Sequence, residues 1–281
     1  MIKTVLPFLF LTLFLSCSSD DTEIVSTSID YFTEELKDFN GSAQTSYSKD
    51  RYDLLDGKYF TRTSFTVGTK STFQTHYYTN GLLTEEFTNM EAHYTYNGQQ
   101  LMAMRYNNGG SDQFRRFVAI SSTTYYIEVL TAAYDEPSAQ ITQRFVVEFD
   151  ANDDVVSIGE DANLDDVVDA VTHFSYQNGD LVAAEEANGT LHNYMIYSDT
   201  INNYNAIAEK TYGKKTRRLI FIQEYLDVVA NSGLIQSTHL KQSAFENTEY
   251  QVLSNHYVKK IYFDFAFGTT HIQSTTLFYF K

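Results

Sequence analysis

Two acidic stretches of the sequence carry oxygen-bearing side chains at the spacing that calcium-binding loops use. The candidate ligands stand at alternate positions, and they are Asp150, Asn152, Asp154, Asp161, Asn163 and Asp165. Positions 1, 3 and 5 of EF-type loops carry such oxygens, and position 6 is a glycine, where this chain has Val155 and Asp166. The spacing predicts two candidate calcium sites. The alternative is that Asp and Asn stand here because they form turns.

Three histidines precede similar aromatic segments. His76, His93 and His173 each stand just before an aromatic residue and a few positions before an Asn-Gly pair. If the segments are neighbouring hairpins in the same phase, the three rings lie on one face, as a metal such as zinc requires. The alternative is that a repeated segment carries its histidine along without any ligand role.

Enzyme signatures are scarce in this sequence. It contains no G-x-S-x-G elbow, no phosphate loop, no G-x-G-x-x-G and no H-E-x-x-H motif. A glycosidase needs only two carboxylates, and 36 Asp and Glu residues leave that possibility open without identifying a pair. The sequence therefore favours a non-catalytic protein, names no catalytic residue and indicates no cofactor other than calcium.

A short basic cluster offers a further candidate surface. Lys214, Lys215, Arg217 and Arg218 lie close together in an otherwise acidic chain. The cluster is typical of a solvated loop, and the functional alternative is docking to an anionic lipid headgroup or glycan.

The elements that must position these residues are β-hairpins. An aromatic strand, an Asn-Gly pair and a run containing Leu occur three times, and a looser copy has an Asp- and Asn-rich turn; the four segments are 76–83, 93–101, 173–181 and 149–158. Asn-Gly is the strongest short hairpin signal, because both central residues of a type I′ turn need positive φ. With a period of two, Tyr94 and Tyr96 face the core, while His93 and Thr95 face away. The pattern predicts an antiparallel meander.

Two segments have helical rather than strand periodicity. Residues 28–40 place Ile29, Phe32, Leu36 and Phe39 on one side of a helix, with Gly41 just past its end. Residues 217–231 form a second candidate helix that ends before Gly233, although 219–222 also suit a strand.

Composition agrees with a mainly β fold. The 281 residues include 22 Tyr and 21 Phe but no Trp and only 2 Pro, and aromatic residues favour strands. The net charge of −16 argues against nucleic acid as a partner, because binding phosphates requires a basic surface. We therefore expect a curved antiparallel meander sheet or incomplete barrel with one or two short helices.

The N-terminus has the pattern of an export signal. Lys3 precedes an apolar run that is too short to span a membrane, and the segment Leu13-Phe14-Leu15-Ser16-Cys17 resembles the lipobox of bacterial lipoproteins. That resemblance implies cleavage before Cys17 and acylation of its thiol. The following Ser18-Ser19-Asp20-Asp21-Thr22-Glu23 resembles the surface-export signal of Bacteroidota outer-membrane lipoproteins, and the periplasmic face is the alternative.

The hairpin pattern over residues 76–281 resembles the YD-type repeats of RHS proteins and, more closely, small Bacteroidota surface lipoproteins with degenerate copies of them. The resemblance implies hairpins in a curved sheet but no particular chemistry. We predict a signal peptide at 1–16, a lipid-anchored acidic tether at 17–25 and a single all-β domain at 26–281. The predicted function is a non-catalytic binding or scaffolding module for a glycan or envelope protein, and the alternative is a surface hydrolase acting on glycan or peptide.

Overall fold

A computed structural model describes residues 27–66, 69–88, 91–107, 110–194, 196–222, 225, 237–241, 248–267 and 269–281. The predicted signal peptide, Cys17 and the tether lie outside these residues. In chain order the elements are β1 (Ile29–Asn40), β2 (Ala43–Leu55), β3 (Lys58–Thr66), β4 (Thr69–Gln74), β5 (His76–Thr79), β6 (Leu82–Phe87), β7 (Glu91–Asn97), β8 (Gln100–Asn107), β9 (Asp112–Ala119), β10 (Thr124–Leu130), β11 (Ile141–Phe149), β12 (Val155–Asp161), β13 (Ala170–Gln177), β14 (Asp180–Glu185), β15 (Leu191–Asn193), β16 (Ile196–Ile201), α1 (Asn203–Tyr212), α2 (Lys214–Ile220), β17 (His239–Lys241), β18 (Thr248–Val252), β19 (Val258–Phe267) and β20 (Thr270–Phe280).

The predicted fold class is confirmed, because most described residues are in antiparallel strands and the two named helices are short. The strands form two large sheets rather than one. Seven strands follow the order β18-β19-β20-β1-β2-β3-β4, and eleven follow the sequential order from β5 to β15. We call these the seven-stranded and the eleven-stranded sheet. A third, small sheet pairs β16 with β17.

The chain passes from one large sheet to the other at Thr75, between β4 and β5. The Thr75 N–H donates to the carbonyl of Phe60 in β3 at 2.9 Å, and the Thr75 carbonyl accepts from the N–H of Phe87 in β6 at 2.7 Å. One residue therefore hydrogen-bonds to a strand of each sheet. Thr75 therefore marks the junction of the two sheets.

The predicted hairpins form, with a difference in register. Asn80 and Gly81 have φ of 51° and 81°, and Asn178 and Gly179 have 54° and 81°, as a type I′ turn requires. In the β7–β8 hairpin the turn begins one residue later, at Gly98, because Asn97 is still paired with Gln100 in the ladder.

The strand pairing of the three hairpins therefore aligns at a tyrosine before each turn and not at the Asn-Gly pair. Tyr78, Tyr96 and Tyr176 pair with Leu83, Leu101 and Leu181, respectively. A one-residue shift moves side chains to the opposite face of a strand. The predicted faces of β7 are confirmed, since Tyr94 is buried and Thr95 is exposed.

Helices α1 and α2 lie between the sheets. Ile207 of α1 packs into a cluster with Phe32 and Phe278 of the seven-stranded sheet. Tyr212 of α1 and Leu219 of α2 pack into the core of the eleven-stranded sheet. In the described part of the chain, no helix combines the length and apolarity that crossing a bilayer requires.

The helix predicted for residues 28–40 is wrong, because this segment is strand β1. It is paired along its length with β2 on one side and β20 on the other. The helical spacing does not describe a buried stripe, since Leu36 is 40% exposed. Gly41, with φ of 61°, lies in the turn to β2 instead of ending a helix.

The second predicted helix is found in part. Helix α2 begins at Lys214, before the predicted start, and residues 223–224 and 226–231 of the predicted segment lie outside the described residues. Helix α1 was not predicted. Its start has a recognisable cap, because the side chain of Asn202 accepts a hydrogen bond from the N–H of Asn205.

Candidate functional site

A cavity of about 310 Å³ lies where the two large sheets and the two helices meet. Its wall combines aromatic rings with charged side chains. The seven-stranded sheet contributes Phe32, Glu34, Tyr52, Tyr59 and Arg62; the residues near the sheet junction are Thr75, His76, Glu86 and Thr88; the helical segment contributes Tyr204, Ala208, Tyr212, Arg217 and Phe221. We call this space the inter-sheet cavity.

Stacked rings hold one wall of the cavity. Phe32 stacks on Tyr52 with ring centroids 4.7 Å apart and an interplanar angle of 12°. Tyr204 meets Phe32 edge-on at 5.6 Å. On the junction side, Tyr59 stacks on the His76 ring at 5.3 Å. Aromatic pairs of this kind restrict ring motion, so the wall has a defined shape before any ligand arrives.

Glu86 is the buried carboxylate of the cavity, with 5% of its surface exposed. The hydroxyls of Tyr94 and Tyr212 donate to its Oε2 at 3.0 and 2.8 Å, and the Thr88 hydroxyl donates to its Oε1 at 3.0 Å. Burial, together with the nearby Glu86 charge, raises the pKa of Tyr94 and Tyr212 well above the usual value. Glu86 is therefore a fixed acceptor that holds the neighbouring hydroxyls in place.

His76 lies on the cavity side of β5 and is 3% exposed. Its Nδ1 shares a hydrogen bond of 2.8 Å with the Thr75 hydroxyl, and its Nε2 is 3.9 Å from Glu86 Oε1. Burial lowers the pKa of His76 below its usual value, and the opposing effect of Glu86 is smaller. The imidazole is therefore neutral at pH 7.

The expectation that His76, His93 and His173 share one face is wrong. Because the β7–β8 turn starts one residue later, His76 takes the inward position that Tyr94 holds in β7. His93 and His173 lie on the opposite, more exposed face of their strands. His93 bonds to Glu91 at 2.8 Å. The three rings therefore do not converge.

Glu34 lies in a more exposed part of the cavity wall than Glu86. The Tyr204 hydroxyl donates to Glu34 Oε1 at 2.8 Å and lies 2.9 Å from the Thr276 hydroxyl. This contact joins α1 to β1 and β20. Glu34 lines the cavity beside Tyr52, whose pKa is raised by burial and by the charge and hydrogen bond of Glu34.

Tyr59 lines the cavity. Its described hydrogen bonds use the backbone, since its N–H donates to the Thr211 hydroxyl at 3.0 Å and its carbonyl accepts from the Tyr78 hydroxyl at 2.6 Å. Burial raises the pKa of Tyr59, and the charges of Glu34 and Glu86 raise it further. The Tyr59 phenol thus stays protonated in the field of both carboxylates.

Two guanidinium groups complete the charges of the cavity. Arg62 donates from Nη2 to Asp50 at 2.8 Å, and its buried Nε has no hydrogen-bond partner in the described structure. Arg217 is 1% exposed and donates from Nη1 to Asn205 Oδ1 at 2.6 Å. The cavity therefore contains two carboxylates and two guanidinium groups.

The basic cluster of α2 is not a solvated loop, and this expectation is corrected. Arg217 and Arg218 are each 1% exposed. Arg218 and Lys214 both contact Asp154, each at 2.9 Å, and Lys215 lies 2.8 Å from Asp153. These pairs attach α2 to the β11–β12 hairpin, because the hairpin's acidic turn faces the basic helix.

The first candidate calcium ligands form the β11–β12 turn. Asp150 Oδ1 accepts the N–H groups of Asn152 and Asp154 at 2.8 and 2.9 Å. These bonds lower the pKa of Asp150 against the opposing effect of burial. Asp154 is 2% exposed and is engaged by the cations of α2.

The second candidate set lies in the loop after β12. Asp161 is 1% exposed, and its carboxylate accepts from Arg144 Nη1 at 3.0 Å and from the Asp165 N–H at 3.1 Å. Asn163 Oδ1 also accepts from the Asp165 N–H at 3.1 Å. Among the described residues, no group of three or more His, Cys, Asp or Glu side chains is arranged to hold a metal ion. Both calcium sites stay predictions.

Sequence reasoning singled out His76 and Arg217 but missed three other principal residues of the cavity. Glu34 belongs to a segment whose spacing predicts a helix, Tyr59 follows an Asp56-Gly57 turn, and Glu86 is one acid among many. Positive φ at Asp56 and Gly57, 52° and 79°, shows that this pair is a hairpin signal of the kind recognised elsewhere in the chain.

Comparisons with known proteins give a limited result. No family model matches the chain, and a search of curated proteins finds no match either. Among solved structures, a porin-like protein from Bacteroides uniformis ATCC 8492 is 14% identical, with a TM-score of 0.36 over 91% of this chain and 99% of that chain. A porin-like protein from Bacteroides vulgatus ATCC 8482 is 12% identical, with a TM-score of 0.25 over 90% and 98%. These TM-scores are too low to establish a shared fold or function.

Proposed function

We propose that this chain is a lipid-anchored protein of the cell envelope that binds a ligand in the inter-sheet cavity without transforming it. The observation that carries the proposal is the cavity itself. Its volume of about 310 Å³ lies at the lower end of the range for small-molecule sites. Aromatic walls with a few convergent polar groups are the usual composition of such sites.

The polar groups of the cavity are held in place by hydrogen bonds to neighbouring side chains. Glu86 is fixed by three hydroxyl donors, and Tyr204 holds one oxygen of Glu34. Groups that are already ordered lose little conformational entropy when a ligand binds. This arrangement supports binding by a preformed site.

The anchor is proposed from the sequence. Acylation of Cys17 would attach the chain to outer-membrane lipid, with the acidic tether between the anchor and the folded part. Several acyl chains give a durable anchor, because each buried methylene contributes about 0.8 kcal/mol. The outer face of the outer membrane is the proposed location, and the periplasmic face is the alternative.

The anchor is tested by changing the cysteine. In a strain that expresses the full chain, the substitution Cys17→Ala should move the protein from the membrane fraction to the soluble fraction. Labelling with a radioactive fatty acid should disappear in the same variant. Unchanged fractionation and labelling would contradict the proposed anchor.

A hydrolase is the second candidate, because Glu34 and Glu86 line the same cavity. Glycosidases use two carboxylates on either side of the bond that they cleave. Glu86, however, already accepts three hydroxyl donors and is buried, as expected of a structural acceptor. Chromatography of a bound glycan after long incubation distinguishes the two functions, since a hydrolase releases shorter products.

Thermal unfolding of the mature protein, residues 17–281 in mild detergent, tests the binding function. The probes are neutral, acidic and amino sugars, amino acids and short peptides. A ligand at about 100 times its Kd stabilises by about 2.7 kcal/mol, and each kcal/mol raises the Tm by about 2–4 °C in a domain of this size. We expect at least one probe to raise the Tm of the wild-type protein.

The matched control separates cavity binding from other effects. Ala208 lines the cavity, so Ala208→Phe fills part of it, whereas Ala119→Phe adds the same side chain at an exposed position. The shift should be lost in the first variant and kept in the second. Equal shifts in both variants, or no shift with any probe, would overturn the proposal.

A further inference from the structure

We infer that the ligand of the inter-sheet cavity is a neutral, polyhydroxylated ring, a single sugar residue, bound through Glu34 and Tyr59. This inference rests on the proposed binding function and names the class of ligand. Its basis is the balance of charge in the cavity, the hydrogen-bonding groups that face it and the rings around them.

The charges in the cavity oppose a charged ligand of either sign. An anion that approaches Arg62 and Arg217 also meets Glu34 and Glu86, and a cation that approaches the two glutamates also meets the two arginines. Like charges brought together in a desolvated site cost binding energy. A neutral ligand avoids this cost.

The hydrogen-bonding groups require a ligand that both donates and accepts. A carboxylate such as that of Glu34 only accepts, and a guanidinium such as that of Arg62 only donates. A tyrosine hydroxyl does both, and Tyr59 lies in the cavity wall with described hydrogen bonds that use its backbone. Each hydroxyl of a sugar is a donor and an acceptor, so neighbouring hydroxyls can satisfy a carboxylate and a phenol at once.

The rings match the remaining surface of a sugar. Phe32, Tyr52 and Tyr59 present aromatic surface beside these polar groups. A sugar ring has C–H faces that pack on aromatic surface while its hydroxyls point outward along its edge. An amino acid would use the charged groups but would leave most of this aromatic wall uncovered.

The size of the cavity limits the ligand to a short unit. About 310 Å³ lies at the small end for ligand sites, and the wall is exposed at Thr88 and part-exposed at Glu34 and Arg62. A sugar at the end of a glycan can therefore enter with the rest of the glycan outside. Free sugar and glycan terminus share this chemistry, and the experiment separates them.

Calorimetric titration of the mature protein at pH 7 tests the inference. The probes are glucose, galactose and mannose, the uronic acid and the 2-amino sugar of each, and the amino acids and short peptides used in thermal unfolding. We expect one neutral hexose to bind at least tenfold more tightly than its two charged counterparts. Methyl α- and β-glycosides of that hexose are then compared with the free sugar, and tighter or equal binding of one glycoside identifies a glycan terminus as the source.

Two variants connect the result to the named residues. Tyr59→Phe removes only the hydroxyl and should weaken binding of the hexose about tenfold, while Tyr279→Phe, in an exposed position on the opposite face of the same sheet, should not. Glu34→Gln removes a negative charge and should reduce the discrimination against the uronic acid. Thermal unfolding checks that each variant is folded.

The outcomes separate this inference from the proposed function. If an amino acid, a peptide or a charged sugar binds more tightly than every neutral sugar, the inference is overturned and the binding function stands. If a neutral sugar binds equally well to wild type and Tyr59→Phe, the assigned contact is wrong and the inference fails. If no probe binds, both fail.

Discussion

At the scale of single residues, a one-residue difference between hairpins decides which side chain of the strand faces the cavity. The turn of the β5–β6 hairpin begins at the Asn of its Asn-Gly pair, whereas the turn of the β7–β8 hairpin begins at the Gly, Gly98. This one-residue difference places His76 on the inward face of β5. In β7 the inward position carries Tyr94 instead. A neutral, buried imidazole next to Glu86 is the result, and it links the stability of the protein to pH.

We expect His76 to make the protein less stable as the pH falls. Its pKa in the folded state is lowered from 6.5 by burial, so below about pH 6.5 the unfolded chain binds more protons than the folded chain. The free energy of unfolding therefore decreases from pH 7 to pH 5. Urea unfolding at several pH values should show a smaller decrease for His76→Phe than for the wild type.

An exposed histidine supplies the control for this measurement. His173 lies on the outer face of β13. If His173→Phe alters the pH dependence as much as His76→Phe does, the effect belongs to histidine content and not to the buried ring.

At the scale of the elements, the turns were the most predictable part of the structure. Gly81 and Gly179 both have φ of 81°, where a side chain is strained. A Cβ on Gly81 would meet no atom within 4 Å, whereas a Cβ on Gly179 would lie 2.6 Å from the Thr238 hydroxyl. The same substitution at these two glycines therefore isolates the effect of the contact with Thr238.

We expect Gly81→Ala to cost about 1–2 kcal/mol of stability from backbone strain alone. Gly179→Ala should cost more, because Thr238 must also move. Urea unfolding of both variants measures the difference. Equal losses would show that the contact between the hairpin tip and Thr238 contributes nothing.

Strand β1, for which the sequence pattern predicts a helix, is formed through pairing with other strands. Residues 28–40 have helical spacing, but the segment lies between β2 and β20 and forms hydrogen bonds with both. The periodicity of a short segment carries no information on a strand partner that is distant in sequence, and β20 is at the other end of the chain. The Asp56-Gly57 turn was available as a local signal and would have placed β2 and β3, and with them Tyr59.

At the scale of the whole molecule, the sequence predicts the class of fold but not the meeting of its sheets. The eleven-stranded sheet follows chain order, so consecutive hairpins predict it. The seven-stranded sheet pairs strands from both ends of the described chain, and Thr75 hydrogen-bonds to both large sheets. The cavity lies at that junction, so its residues come from distant segments with no common motif.

Ion pairs attach helix α2 to the β11–β12 hairpin of the eleven-stranded sheet. Asp154 is 2% exposed and contacts Arg218, itself 1% exposed, and Lys214. Breaking a buried ion pair costs about 3–5 kcal/mol, because a buried charge loses its partner. Glu209 lies 3.2 Å from Arg218 and retains part of the interaction. We therefore expect Asp154→Asn to destabilise the protein by about 3 kcal/mol.

Asp153 is the control that separates the loss of the buried ion pair from the loss of a negative charge in general. Asp153 pairs with Lys215 on the surface, where such pairs contribute about 0–1 kcal/mol. Asp153→Asn should therefore change the free energy of unfolding by less than about 1 kcal/mol. Because the same hairpin pairs with α2, which contributes Arg217 to the cavity wall, Asp154→Asn should also weaken ligand binding, and Asp153→Asn should not. Equal effects of the two substitutions in urea unfolding would show that the buried contact does not join the helix to the sheet.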